Sequence, residues 1–394
     1  MHPLIRPGRR TVAAAIASCA AVSALSGCGT HAVAKPAART SAGKASTGPQ
    51  VEISISHCGA GWQPGSAGLQ QLVLHNTDTR PGEVLLADAR SGAVYSYLEP
   101  LAAGSTANLT VELAAGSYRL RCAMEDEDVV NGPVVTITGR STASTPAILP
   151  VTQAELIGPT KQYQRYVSGQ LPTLRALVDR LRNDLAAGQL TNARTDWLPA
   201  HLEYERLGAA YGAFGDADAK INSLPAGATA DPAFTGFHRI EYGLWHYQSA
   251  AALLPIANAL QKSVASLQRL FTDAQIDPVE VAIRAHEITE NAIQFELTGQ
   301  TDFGSASNLA TVAANLQGTA EVLDILEPIL QTRYPQLSGL EASLRHAEQA
   351  VATVRRLPLT ALSTAQREMV NASMGDLVEL LAPVAEICEP RRTS

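Results

Sequence analysis

Apolar and polar positions alternate through the first patterned part of the chain. The runs are Val51-Glu52-Ile53-Ser54-Ile55, Leu72-Val73-Leu74-His75, Leu109-Thr110-Val111-Glu112-Leu113, Tyr118-Arg119-Leu120-Arg121 and Val134-Val135-Thr136-Ile137. A period of two is that of strands with one buried face. Turn-forming residues punctuate the runs at Pro64-Gly65, Asn76-Thr77-Asp78, Pro81-Gly82, Ala115-Gly116 and Asn131-Gly132-Pro133. The pattern predicts a small antiparallel β-sandwich over residues 50–139. Residues 140–150, with Ser, Thr and prolines, read as a linker. Beyond it the period becomes helical over Thr160–Ala187 (with Pro172 as a kink or break), Thr191–Phe214, Ser249–Phe271, Pro278–Thr298, Ser305–Leu330, Gly339–Arg356 and Leu362–Ile387. This predicts an all-α antiparallel helical bundle over residues 151–388.

The first 49 residues carry neither period. Arg6, Arg9 and Arg10 precede an Ala-rich apolar stretch, Val12 to Leu25, that is too short to span a bilayer stably. Residues 1–27 are expected to be a signal peptide. It closes on Leu25-Ser26-Gly27-Cys28, which resembles the lipobox of bacterial lipoproteins, where the cysteine is acylated. Residues 28–49 then read as a flexible tether, so the folded part is expected to be exported and held at a membrane by a lipid on Cys28.

Composition narrows the function classes. Hydrophobic residues make up 46% and charged residues 17% of 394, enough apolar material for a two-domain core and too much for a disordered chain. Net charge is -7, and three charges more negative once Arg6, Arg9 and Arg10 are removed. That balance argues against nucleic acid or an anionic membrane surface as the main partner and favours cations. Past the leader the cysteines are Cys58, Cys122 and Cys388. Export permits a disulfide, and Cys58 and Cys122 both fall in the sandwich, which makes them the natural pair. Cys388 is left over, either free or the true partner of one of them.

Two segments carry candidate metal chemistry. In Gly236-Phe237-His238-Arg239-Ile240-Glu241, His238 and Glu241 are three apart and share a helix face, so an imidazole and a carboxylate can converge on one ion. A hydrogen bond between them inside a bundle fits the spacing equally. In Trp197 to Gly208, helical geometry puts Trp197, His201, Tyr204, Glu205 and Gly208 on one stripe, with Glu203 on another. Glu205 is then either a ligand or the partner of an arginine at the surface. His286 and Glu290 are four apart, but the zinc-protease helix needs His where Glu290 stands. A solvated face accounts for His286 and Glu287.

Tyr204-Glu205-Arg206, Phe214-Gly215-Asp216-Ala217-Asp218, the Gly-x-His-x-x-Glu segment and Gly299 to Gly318 with Asn315 resemble the imelysin-like, or M75, family. A β-sandwich in front of such a domain resembles the cupredoxin-like domain of EfeO-type exported iron-uptake lipoproteins. The resemblance implies a metal site of His238 and Glu241, with Glu205, Asp218 and Glu290 completing it. It implies iron as Fe2+ or Fe3+, with zinc or manganese as other hard or borderline ions for such donors. It also implies two partners, a membrane ferrous-iron permease and a haem-containing peroxidase. Two departures stand out. Cys122 and Met124 are present, but Glu125-Asp126-Glu127-Asp128 occupies the loop where a type 1 copper site would place a His, which argues against copper. Asn308 stands where the family resemblance implies Asp. The expected role is iron binding rather than catalysis; a metal-dependent M75-type peptidase and a polysaccharide-binding surface lipoprotein are the alternatives.

Overall fold

The computed structural model describes residues 50–141, 144–227, 229 and 231–392. The expected signal peptide, the tether and Cys28 lie outside the described residues.

Nine strands form the amino-terminal region: β1 (Gln50–Ile53), β2 (Gly65–Ser66), β3 (Gly68–Asn76), β4 (Gly82–Asp88), β5 (Val94–Leu101), β6 (Thr106–Leu113), β7 (Gly116–Met124), β8 (Val130–Asn131) and β9 (Val135–Thr138) among the described residues. They build one sheet of order β1-β3-β6 and another of order β2-β9-β7-β4-β5, with β8 added to β7. Most pairs are antiparallel; β1 with β3 and β2 with β9 are parallel. Alternation does its expected work in β6, where Leu109, Val111 and Leu113 are buried and Thr110 is exposed. β4 escaped that pattern for a physical reason. It lies between β7 and β5, and Val84, Leu85, Leu86 and Ala87 are all fully buried, so no alternation exists to be seen. Cys58 and Cys122 are joined by a disulfide inside this core. The bond consumes the thiolate that a type 1 copper site would require.

The helical region comprises α1 (Gln153–Ala186), α2 (Leu190–Glu205), the short α3 (Tyr211–Phe214) and α4 (Asp218–Ile221), α5 (Gly236–Trp245), α6 (Ala250–Leu270), α7 (Pro278–Asn291), α8 (Asn308–Leu330), α9 (Leu337–Val354) and α10 (Thr364–Ile387). α1 begins seven residues before the sequence pattern suggested, at a capping box in which Thr152 and Glu155 satisfy each other's backbone N–H groups. It also passes through Pro172 without ending. One proline removes a single backbone bond, whereas Leu171, Leu174, Val178 and Leu181 keep burying one face against α2 and α6. The expected helix Thr191–Phe214 stops instead at Glu205. α5 was not among the expected helices: it has ten residues and a glycine at either side of its middle.

The two regions meet at the chain's carboxyl end. Val151 and Pro390 form a parallel bridge, the Arg391 guanidinium lies 4.1 Å over the Tyr97 ring, and Arg392 donates to the Ala123 carbonyl at 2.6 Å. Cys388, buried and free, lies just before this joint.

Candidate metal centre

α2 turns its Trp197, His201 and Tyr204 face into the bundle, and Glu205 ends the helix at the same depth. α5 supplies His238 and Glu241. Its first residue, Gly236, has φ +72°, and a Cβ there would stand 2.0 Å from the Ile221 carbonyl oxygen. Only glycine brings the chain into α5 along that path. His201, Glu205, His238 and Glu241 are all at least nine-tenths buried.

A third acid joins them from a place the sequence pattern did not mark. After α7 the helix widens into a π turn, Ala292–Glu296, which carries Glu296 to the cavity. Widened turns of this kind recur at functional sites. A cavity of about 160 Å³ results, lined by Glu205, His238, Glu296, Asn222, Asn315 and Tyr211 among others.

Each carboxylate rests on protein donors. Glu205 accepts from Asn222 Nδ2 at 2.8 Å and Asn315 Nδ2 at 3.0 Å. Glu296 accepts from Thr301 Oγ1 at 2.6 Å and Asn308 Nδ2 at 2.9 Å. Asn308, the departure from the family resemblance, is therefore a donor where Asp would set a second carboxylate against Glu296. Glu241 Oε1 accepts from the backbone N–H groups of Phe303 and Ser305 and from Ser305 Oγ. Its Oε2 faces His238 Nδ1 at 3.5 Å. The loop thus fixes Glu241, whose other oxygen lies against the His238 ring without a hydrogen bond to Nδ1.

The electrostatics separate the acids. Burial pushes Glu205 up, but His201, the Asn315 amide and His238 outweigh it and hold the carboxyl at about 2. Burial and the Glu205 charge push Glu296 up to about 7. Burial also opposes ionisation of Glu241, yet the His238 contact, Ser305 and His201 leave it below the usual carboxylate range. One acid therefore keeps its proton near neutral pH, and two are anionic.

Several buried nitrogens lack partners. Among the described residues, His238 Nδ1 and both ring nitrogens of His201 find no hydrogen-bond partner; His201 Nε2 lies 3.1 Å from Glu205 Oε1 as a close ion-pair contact. Buried polar atoms are nearly always satisfied, so such orphans beside three acids fit a cation-binding role. Among the described residues no three His, Cys, Asp or Glu side chains are already arranged around one ion position. Glu205, His238 and Glu296 line the cavity, the two carboxylates resting on protein hydrogen bonds.

The family model described as Imelysin (Peptidase M75) matches residues 159–384, which span every one of these donors. The chain belongs to the imelysin family. This imelysin-family chain is 26% identical to "Iron uptake system component EfeO" of Yersinia pseudotuberculosis serotype I, over 78% of its own length and 81% of the relative's. It is 25% identical to the EfeO of Yersinia pestis (73% and 76% covered) and 24% identical to that of Escherichia coli O1:K1 (78% and 82% covered).

The structure brings His238 and Glu205 to the cavity and sets Glu241 beside His238, outside the cavity lining. Asp218 stands beside them but accepts from Tyr204 Oη at 2.5 Å and does not line the cavity; burial raises its pKa. Glu290 is exposed, 3.9 Å from His286 on the outer face of α7, and is not brought to the cavity. Sequence reasoning did not mark Glu296 or assign His201 a role. The His201 signal was available as the i, i+4 pair with Glu205 on a buried stripe. In the sandwich, the Glu125 to Asp128 run is exposed and Glu127 is paired with Arg80.

Proposed function

We propose that this chain is an extracytoplasmic iron-binding protein that captures iron in the helical region and passes it to a membrane ferrous-iron permease. It would work beside a haem-containing peroxidase of the same uptake system. The observation that carries this reading is the cavity shared by Glu205, Glu296 and His238, with the Glu241 carboxylate beside the imidazole. Carboxylates with one imidazole form a hard, oxygen-rich set suited to Fe2+ or Fe3+ and also to Mn2+ or Zn2+, and poor for Cu+. The EfeO relatives, named as iron uptake components, favour iron within that set. An ion entering would draw Glu205 and Glu296 from their amide and hydroxyl donors and displace the proton from Glu296.

We read the site as a binder and not a hydrolase, because the relatives it resembles are named as iron uptake components. We further place the protein at a membrane through acylation of Cys28. Iron titration of wild type and the His238→Ala, Glu241→Ala double variant tests the site. Wild-type affinity in the double variant would remove it, and wild-type membrane fractionation of Cys28→Ala would remove the anchor.

A further inference from the structure

Three side-chain amides support the two carboxylates of the cavity, and they are not equivalent. Asn315 Nδ2 donates to Glu205 Oε2 at 3.0 Å and to the Glu205 carbonyl at 3.4 Å. Asn308 Nδ2 donates to Glu296 Oε2 at 2.9 Å and to Thr301 Oγ1 at 3.2 Å. Asn222 Nδ2 makes a single bond, to Glu205 Oε1 at 2.8 Å. Its Oδ1 is buried with no hydrogen-bond partner among the described residues. Of the residues that line the cavity, only Asn222 and His238 carry such an atom.

The direction of the Asn222 amide follows from its neighbour. With the oxygen toward Glu205 two acceptors would face each other, so the NH2 group takes that side. An amide is nearly symmetric in shape, and its χ2 torsion is soft and roughly twofold. A half-turn therefore exchanges Nδ2 for Oδ1 in almost the same space. For Asn315 or Asn308 that turn would break two hydrogen bonds, although Asn308 Oδ1 is unpartnered as well. For Asn222 it breaks one, and the departing oxygen leaves no donor behind.

The backbone around this amide is fixed. Asn222 follows α4, and its N–H donates to the Asp218 carbonyl at 2.9 Å. Next to it, Ser223 Oγ accepts from the Thr235 N–H at 2.7 Å and donates to the Thr235 carbonyl at 2.9 Å. With the close approach of Gly236 to Ile221, these bonds tie residues 221–223 to the start of α5, which carries His238. The side-chain amide is the part left free to turn.

Glu205, Glu296 and His238 supply three donor groups, fewer than the roughly six donor atoms that hard divalent ions collect. An amide oxygen is a hard donor that adds no charge. We propose that Asn222 is a switching ligand: its NH2 group holds Glu205 in the metal-free protein, and its Oδ1 turns to the ion when Glu205 is drawn onto it. This rests on the iron-binding reading.

The test uses the full chain, isotope-labelled at asparagine nitrogen. Side-chain NH2 signals are followed by NMR with Zn2+, which is diamagnetic, and affinities are measured by anaerobic Fe2+ titration. The Asn222 signal, assigned by its loss in Asn222→Asp, is expected to give up the downfield shift of a carboxylate-bonded amide when Zn2+ binds. Asn222→Leu, of similar size without a polar atom, is expected to lower Fe2+ affinity about tenfold or more. Asn222→Asp, which keeps an oxygen at that point but cannot donate, is expected to bind Fe2+ at least as well as wild type. An Asn222 signal unmoved at Zn2+ saturation overturns the switch. So does Asn222→Asp binding as weakly as Asn222→Leu, the result expected of a donor that merely holds Glu205. Wild type that binds neither ion would remove the iron-binding reading along with the switch, whereas wild-type binding with either of the two preceding results removes the switch alone.

Discussion

The sandwich and the helical region handle their polar groups in opposite ways. In the sandwich, Asn76 is the deeply buried polar side chain, and its amide is spent on the Arg80 and Leu101 carbonyls. A disulfide closes the rest of the core. The helical region instead buries His201, Glu205, His238 and Glu241 in one place and leaves three ring nitrogens unpaired. Both regions have enough apolar residues to fold without such groups. On the iron-binding reading, the sandwich is organised for integrity, while the bundle concentrates its polar cost where a cation would repay it.

The largest test of that contrast removes the imidazole and its carboxylate. His238→Ala with Glu241→Ala is expected to lower iron affinity on the order of 10²–10⁴-fold, each change contributing its own factor. Circular dichroism should show the helical content retained. The converse test acts on the sandwich. Replacing Cys58 and Cys122 by Ala should cost about 4 kcal/mol, since the bond closes a separation of 64 residues. Iron titration should be unchanged by it; a parallel loss of iron affinity would mean that the two regions are not separable in this way.

The metal-free protein should also reveal its buried acids through pH. Glu296 keeps its proton in the folded state up to about 7, whereas the unfolded chain releases it near the ordinary 4.5. Between those values the folded state binds more protons, so stability falls as pH rises, by at most roughly 3 kcal/mol. Glu205, held at about 2, acts in the other direction: its contribution is present above 4.5 and is lost as pH falls toward 2. Urea unfolding in chelator across pH 4 to 8 should show the first slope, and Glu296→Gln should flatten it. The smallest effect belongs to the outer face of α7. His286→Ala or Glu290→Gln should change stability by less than about 0.5 kcal/mol, because their 3.9 Å pairing is solvent-exposed. Iron affinity should not move; a clear loss with Glu290→Gln would place that residue in the site after all.

How far the sequence reached depended on whether each feature repeats. Strands buried on one face announce themselves through alternation, as β6 does, whereas β4 is buried on both and stays silent. His238 and Glu241 were legible because three-residue spacing on a helix fixes a shared face. Glu296 was not. A regular helix continued from α7 gives no reason to select it, and the π turn that redirects it leaves no periodic trace in Ala292-Ile293-Gln294-Phe295-Glu296. Glu290 was expected there only through the family resemblance, and the regular helix of α7 turns it outward. The end of α2 at Glu205 was hidden similarly. Its cause is distant in sequence, since Asn315 donates to the Glu205 backbone and side chain across 110 positions.

The bridge between Val151 and Pro390, reinforced by the Arg391 N–H on the Val151 carbonyl at 3.1 Å, makes the entrance and exit of the helical region neighbours. A region whose ends touch is a transplantable cassette: it can be gained, lost or re-ordered in a gene without re-threading its neighbour. Splicing residue 152 to 389 and opening new ends in the turn between α8 and α9 should accordingly give a permuted bundle that still folds, read by cooperative thermal unfolding. The same adjacency makes the carboxyl tail a second tether, so that a nick in the 140–150 segment would leave both halves held together through Arg391 and Arg392.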